Sequence, residues 1–330
     1  MSQVILTQER LDTARRKNLG HQLLAVANDF YSRVLEQYRR QRYDMIRPVH
    51  GALLRNLGLE GSRVVELARR AGITHRAMTK IADDLSSLGV VTRRPDPRDR
   101  RATLVVLTPF GLQLLRDSSD IVEAISREYF CLVGARRMAQ LEIRLLAFMQ
   151  ALQLDFSPGG LQALHHFESE RVRKKGGAYL SHDIGRYLQV LGDDYHERCA
   201  GYMKREGFPE IRFDHLSVLG LLPLAGARLS ALAESANISL QAMGEQARKV
   251  ERMGYVSLNI DPADKRARLV NFTRAGVLFL ESLVAVFDKI EQDYCELAGK
   301  GRLQRLRASL ERVIQALGLE VPAPGLDSAT

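Results

Sequence analysis

At 330 residues, 45% hydrophobic and 26% charged, the chain has room for two domains that each bury a core. No run of about 18 apolar residues is present to cross a bilayer, the first twenty residues lack the apolar stretch of a signal peptide, and three cysteines without a CxxC spacing suit a reducing cytoplasm. The net charge of +9 is uneven, with 25 Lys and Arg against 17 Asp and Glu in residues 1–165 and 23 against 22 in residues 166–330.

In chain order, residues 1–14 read as a mobile arm. A long helix is expected over 15–40, where Leu23, Ala27, Phe30, Val34 and Tyr38 recur at helical spacing. A second is expected over Tyr43–Leu57, with Pro48 marking an early boundary or a kink. Val64–Ala71 is a short helical run that Gly72 breaks, and Thr74 is placed to cap the next helix. Met78, Ile81, Leu85 and Leu88 then form one apolar stripe, while Arg76, Thr79, Lys80 and Asp83 occupy the opposite face, with His75 at its start. Gly89 can end that helix in a left-handed turn. Strands are expected at Val90–Arg94 and Ala102–Leu107, around a turn at Asp96–Arg101. Thr108-Pro109 opens a further helix, Thr as cap and Pro in the first turn. Closing helices are expected over Pro109–Arg127 and Ala135–Leu154. Ser157-Pro158-Gly159-Gly160 is a breaker cluster, residues 161–179 are polar and charged and expected to be helical up to Lys175, and the tail after Leu319 is expected to be disordered.

The stretch from Val64 to Gly111 occurs twice. Shifted by 165 positions it aligns without a gap on Leu229–Gly276, with 18 of 48 positions identical. The same offset pairs Gly20 with Gly185, His50 with His215 and Tyr129 with Tyr294. Since 165 is half of 330, the sequence reads as a tandem duplication with domains at 1–157 and 158–330. Each copy encodes helix, tight turn, helix and β-hairpin, a winged helix-turn-helix. The expected fold is mainly α with small β-hairpins: two such units joined by long helices in a pseudo-twofold arrangement.

The order LA…AG-I-T…LG-V-V…R-R-P-D-P-R-D-R-R…V-L-T…G resembles the MarR family of bacterial transcriptional regulators, most specifically through the wing DPRDRRATLVVLTPFG. The resemblance implies a dimer-type architecture, with recognition helices in major grooves, wing tips in minor grooves, and terminal helices that dimerise. Because both copies lie on one chain, a single-chain pseudo-dimer is expected, and a homodimer with four winged units is the other arrangement the sequence allows.

Basic residues concentrate where a winged unit faces phosphates, which points to double-stranded DNA rather than to solubility alone. In the first copy Thr74, His75, Arg76, Thr79 and Lys80 stand at the groove-entering part of the recognition helix. Arg76 is suited to guanine O6 and N7, worth roughly 1–3 kcal/mol of discrimination. Lys80, Arg93 and Arg94 suit phosphates, Arg98 sits at the wing tip where an arginine enters a narrow minor groove, and Arg100 is as readily a solvated charge. Arg101 is expected to pair with Asp99 and hold the hairpin's shape.

The second copy has Gln241 for Arg76, Gly244 for Thr79, Glu245 for Lys80, Ala263 for Arg98 and Leu258-Asn259 for Arg93-Arg94. A mid-helix Gly costs about 1 kcal/mol relative to Ala. Gln246 falls on the stripe where Ile81 is expected to be buried. Gln241, Arg248, Lys249, Lys265 and Arg268 leave it weak contact with DNA, while Asp264 and Arg266 repeat the wing pair. A strong reader joined to a weak or differently specific one is expected.

The resemblance also implies a small aromatic or phenolic effector. Candidate residues are Tyr38, Tyr43 and His50 and, in the second copy, Tyr195, Tyr202, Phe213 and His215, although aromatics at helical spacing also serve as plain core. Cys199 lies on an apolar stripe as an inert thiol would, nothing near Cys131 or Cys295 marks a reactive one, and His165-His166 lacks metal-ligand partners. No cofactor is expected. There is no phosphate loop, nucleophile elbow or HExxH, so an enzyme finds no support. The competing reading is a protein-interaction module built on the same scaffold.

Overall fold

A computed structural model describes residues 6–58, 60–154, 184–211, 213–236 and 238–321, without the side chains of Asp214 and Ser217 and of two expected site residues, Arg100 and Phe213. The expectations for the 157–160 cluster, for 161–179 with His165-His166, for the tail beyond residue 321, and for those two side chains therefore fall outside the described residues.

The chain opens with α1 (Gln8–Lys17), capped by Thr7, whose hydroxyl accepts the Arg10 N–H at 3.2 Å. Leu11 and Arg15, four residues apart and so on one face, are 1% and 5% exposed. The expected arm over 1–14 is thus corrected from Gln8 onward: polar composition hid a face that is buried by distant segments. Asn18 is extended (ψ 121°) and its side chain accepts the His21 N–H at 2.8 Å, so the long helix α2 begins at Leu19 and runs to Arg40. Pro48 likewise shifts the next helix. A 3-10 turn covers Pro48–His50 and α3 only Gly51–Leu54, because a proline is tolerated in a first turn and not inside.

There follow β1 (Ser62–Arg63), α4 (Val64–Arg70), α5 (His75–Ser87), β2 (Val91–Asp96), β3 (Asp99–Leu107), α6 (Pro109–Val133) and α7 (Ala135–Ala151). The later elements are α8 (Ile184–Arg205), α9 (Phe213–Leu219), β4 (Ala227–Arg228), α10 (Leu229–Ala236), α11 (Leu240–Arg252), β5 (Val256–Asp261), β6 (Asp264–Phe272), α12 (Arg274–Tyr294), a π turn over Cys295–Gly299, and α13 (Lys300–Leu317). None of the described helices is long and apolar enough to cross a membrane.

The chain packs as two compact units. One comprises residues 30–134 and 155–185. Its three-stranded antiparallel sheet has the order β1-β3-β2, with Ser62 opposite Val105 and Val91 opposite Leu107. Leu53, Leu67, Met78, Leu85, Val90 and Leu114 close its core at 0% exposure. The join from wing to α6 is tight: Thr108 Oγ1 donates to the Gly89 carbonyl at 2.5 Å and accepts the Gly111 N–H at 3.0 Å. A β-carbon on Gly111 would overlap the Val90 carbonyl, so only glycine fits there.

The other unit comprises residues 1–29, 135–154 and 186–330. Its sheet has the order β4-β6-β5, with Ala227 opposite Val270 and Val256 opposite Phe272. Helices α7 and α13 pack together, Arg144 donating to the Arg305 carbonyl at 3.1 Å and to Ser309, while Phe148 meets Tyr294 edge-on at 5.4 Å. Helix α1 is fixed at both its ends. Arg15 Nη2 donates to the carbonyls of Leu219 and Leu222 at 3.2 and 3.1 Å, and the Leu224 N–H donates to Gln8 Oε1 at 2.7 Å.

Candidate nucleic-acid interface

Helix α5 starts where Thr74 Oγ1 accepts the Ala77 N–H at 3.2 Å, and its Met78, Ile81, Ala82 and Leu85 face inward. That leaves Thr74, His75, Arg76 and Lys80 exposed on one side, with Thr79 half-buried and its hydroxyl bonded to the His75 carbonyl at 2.9 Å. The side chains of Arg76 and Lys80 make no hydrogen bond or ion pair with any of the described residues. The N-terminal turn of a helix also concentrates free N–H groups and positive dipole, so the arrangement favours an anionic ligand.

The far end of the helix is anchored from inside the unit. His50, fully buried, accepts the Arg47 N–H at Nδ1 (3.1 Å) and so donates from Nε2 to Asp84 at 2.8 Å. The Arg47 side chain also meets Asp84. With both ring nitrogens engaged, His50 ties the Pro48–His50 turn to helix α5, a contact its sequence context does not reveal. Tyr38 shares a hydrogen bond with Ser118 at 2.7 Å, and Tyr43 donates to Asp117. All three candidate effector residues of this unit are therefore hydrogen-bonded within its frame.

The wing is held by a residue that was not among the sequence candidates. Asp96, 5% exposed, accepts the Arg98 N–H at 2.9 Å with one oxygen and Arg63 Nε at 2.8 Å with the other. Those donors, the Arg98 amide foremost, hold its carboxyl below the usual range. Asp99 accepts the backbone N–H of Arg101 at 3.1 Å and lies 3.6 Å from Arg63, so the expected Asp99–Arg101 side-chain pair is corrected: Asp99 caps an amide and its ionic neighbour is Arg63. Arg98 and Arg101 remain exposed. Arg93 pairs with Asp83 at 2.7 Å, and Arg94 donates to the Glu60 carbonyl at 2.9 Å. An exposed pair of that kind is worth at most about 1 kcal/mol, so a phosphate can compete for Arg93.

The second winged unit repeats the frame without that charge pattern. Ser239 caps α11 by accepting the Ala242 N–H at 3.1 Å. Asp261 accepts the Ala263 N–H at 2.9 Å and pairs with Arg228 at 2.7 Å, while Asp264 accepts the Arg266 N–H at 3.0 Å. Arg266 therefore serves the hairpin through its backbone. On the outer face Gln241 bonds Glu245 at 3.3 Å, Gly244 is buried and Gln246 half-buried. Leu240 and Ile260 are 55% and 53% exposed at the helix start and on the wing. Arg248, Lys249, Lys265 and Arg268 are exposed. His215 is buried, Tyr202 donates to Asp293 at 2.9 Å, and Tyr195, 5% exposed, accepts from Asn18 at 2.5 Å.

A repeated signal lay behind the missed wing anchor. Arg63 and Asp96 recur as Arg228 and Asp261 at the same offset of 165.

A helix-turn-helix with a paired-strand wing is the winged helix-turn-helix class of fold, and residues 43–102 match the model of the MarR family. No curated protein matches the chain. Among solved structures it is similar to a MarR family transcriptional regulator from Rhodococcus sp. RHA1, with 22% identity over 43% of this chain and 98% of that one and a TM-score of 0.35. It is also similar to apo MarR from E. coli (19%, 39% and 95%, TM-score 0.35) and to MepR of S. aureus in complex with DNA (17%, 39% and 97%, TM-score 0.28).

Proposed function

We propose that this chain is a cytoplasmic, non-enzymatic transcriptional regulator, a repressor, that reads duplex DNA mainly through the winged unit of residues 62–107. One observation carries the reading. The outward face of α5 presents Arg76 and Lys80 without partners among the described residues, beside an exposed Arg98, whereas the same positions of α11 hold a Gln241–Glu245 pair. The MarR family domain at 43–102 supports the same assignment.

The chain is further read as a tandem duplication, with halves 1–157 and 158–330, acting as a single-chain pseudo-dimer. The offset of 165 relates the caps Thr74 and Ser239, the wing anchors Asp96 and Asp261, and the tight glycines Gly111 and Gly276. In addition, one compact unit gathers residues 1–29 and 135–154 with 186–330, as interleaved dimerisation helices would. Release of DNA by a small aromatic effector completes the reading.

The test is a salt titration of affinity for duplex DNA. If Lys80, Arg93 and Arg94 neutralise roughly three phosphates, log K falls against log salt with a slope of about −2.7. A slope near zero would favour a protein-interaction module instead, for which the exposed Leu240 and Ile260 of the second unit speak.

A further inference from the structure

Helix α1 covers a cleft that the DNA-reading faces do not use. The cleft holds about 570 Å³, within the range of small-molecule sites. From α1 it is lined by Glu9, Arg10, Thr13 and Lys17, and from α12 by Val284, Phe287, Asp288 and Glu291. The aromatic surface open to the cleft is that of half-buried Phe287, while Tyr195, Tyr294 and Leu303, which also border it, are buried.

The hydroxyls of both tyrosines are already occupied: Tyr195 accepts from Asn18 at 2.5 Å, and Tyr294 donates to Asp194 at 2.7 Å. Both rings are thereby fixed in the buried wall of the cleft, and the half-buried ring of Phe287 is the surface suited to a planar ring. Charge is divided between the two helices. Glu291 is neutralised by Arg307, which donates to both its oxygens at 2.9 Å. What remains is a net positive charge on α1, from Arg10 and Lys17 against Glu9, and Asp288 on α12. The side chains of Arg10, Lys17 and Asp288 make no ion pair among the described residues, and all three are exposed.

We propose that this cleft binds a small aromatic dipolar ion of the aromatic α-amino acid class, its carboxylate toward Arg10 and Lys17 and its ammonium toward Asp288. The proposal rests on effector release as part of the proposed function and gives it a place and a ligand chemistry. It also gives a route. A ligand pressing on α1 acts on the helix whose Gln8 and Arg15 hold the 219–224 segment of the second winged unit.

Calorimetric titration of the full chain without DNA tests it, using L-phenylalanine, 3-phenylpropionate (no ammonium) and 2-phenylethylamine (no carboxylate). Phenylalanine is expected to bind saturably, and each analogue to bind roughly three- to fivefold more weakly. Lys17→Ala should remove the preference over phenylethylamine, and Asp288→Ala the preference over phenylpropionate. Both residues are exposed, so unchanged melting temperatures will show that the fold is kept. Absence of saturable heat overturns the proposal, as does equal binding of phenylpropionate and phenylalanine. Phenylalanine binding with the expected preferences, but with affinity for duplex DNA unchanged by saturating phenylalanine in fluorescence anisotropy, supports the site and refutes the effector reading.

Discussion

Replacing Arg15 by methionine keeps the buried hydrocarbon stem and removes the two hydrogen bonds to the Leu219 and Leu222 carbonyls, made at 3.2 and 3.1 Å. Bonds from a charged donor contribute about 1.5–3 kcal/mol each, and a buried carbonyl left without a donor keeps its desolvation cost. Removing the charge also relieves the penalty of burying a guanidinium, the effect that draws its pKa down to about 10. The net loss is therefore nearer 2–4 kcal/mol than the sum of two bonds. In a unit of this size each kcal/mol shifts the melting temperature by about 2–4 °C, so a drop of roughly 5–15 °C is expected. The sequence has no tryptophan, so unfolding is followed by far-UV circular dichroism. Amide exchange at Leu224, whose N–H donates to Gln8 at 2.7 Å, reports locally on α1. Wild-type stability in Arg15→Met together with unchanged exchange at Leu224 would refute the docking of α1 and restore the mobile arm.

Three other outcomes are expected from the same geometry. The His50 Nε2–H, and after it Arg47, holds the Asp84 carboxyl below its usual range; its contribution to stability is thus complete above the unfolded value of about 3.9 and is lost as pH falls through the lower native value. Asp84→Asn should flatten that acid limb in urea titrations, and an unchanged limb would place the linkage elsewhere. Asp96→Ala and Asp261→Ala remove equivalent wing anchors, yet only the first should weaken DNA binding strongly in fluorescence anisotropy; matched losses would contradict the division of labour. With a disulfide reagent at mildly alkaline pH, exposed Cys131 should react first, while Cys199, buried and with its thiol pushed up to about 11, should react only on unfolding.

Local signals were the legible ones. Thr74 and Thr108 could be read as caps because a cap is decided within four residues, and Met78, Ile81 and Leu85 as a stripe because helical spacing places them together. Contacts across the chain were not legible. The partners of Arg15 lie more than 200 positions away, so nothing nearby distinguished α1 from a polar arm. Spacing alone pairs Asp99 with the Arg101 side chain, but the amide two residues on is the nearer donor, and the guanidinium that approaches Asp99 comes from Arg63 in another strand. His50 was read as an effector candidate because its tie to Asp84 joins residues 34 positions apart.

The unequal reading faces are tested most directly by affinity for one selected duplex at fixed salt, comparing Arg76→Ala with Gln241→Ala. Loss of a bidentate guanine contact amounts to roughly 1–3 kcal/mol, about five- to 150-fold in Kd, so the first variant should weaken binding by that factor and the second by less than about twofold on the same scale. Equal losses in the two variants would contradict the account.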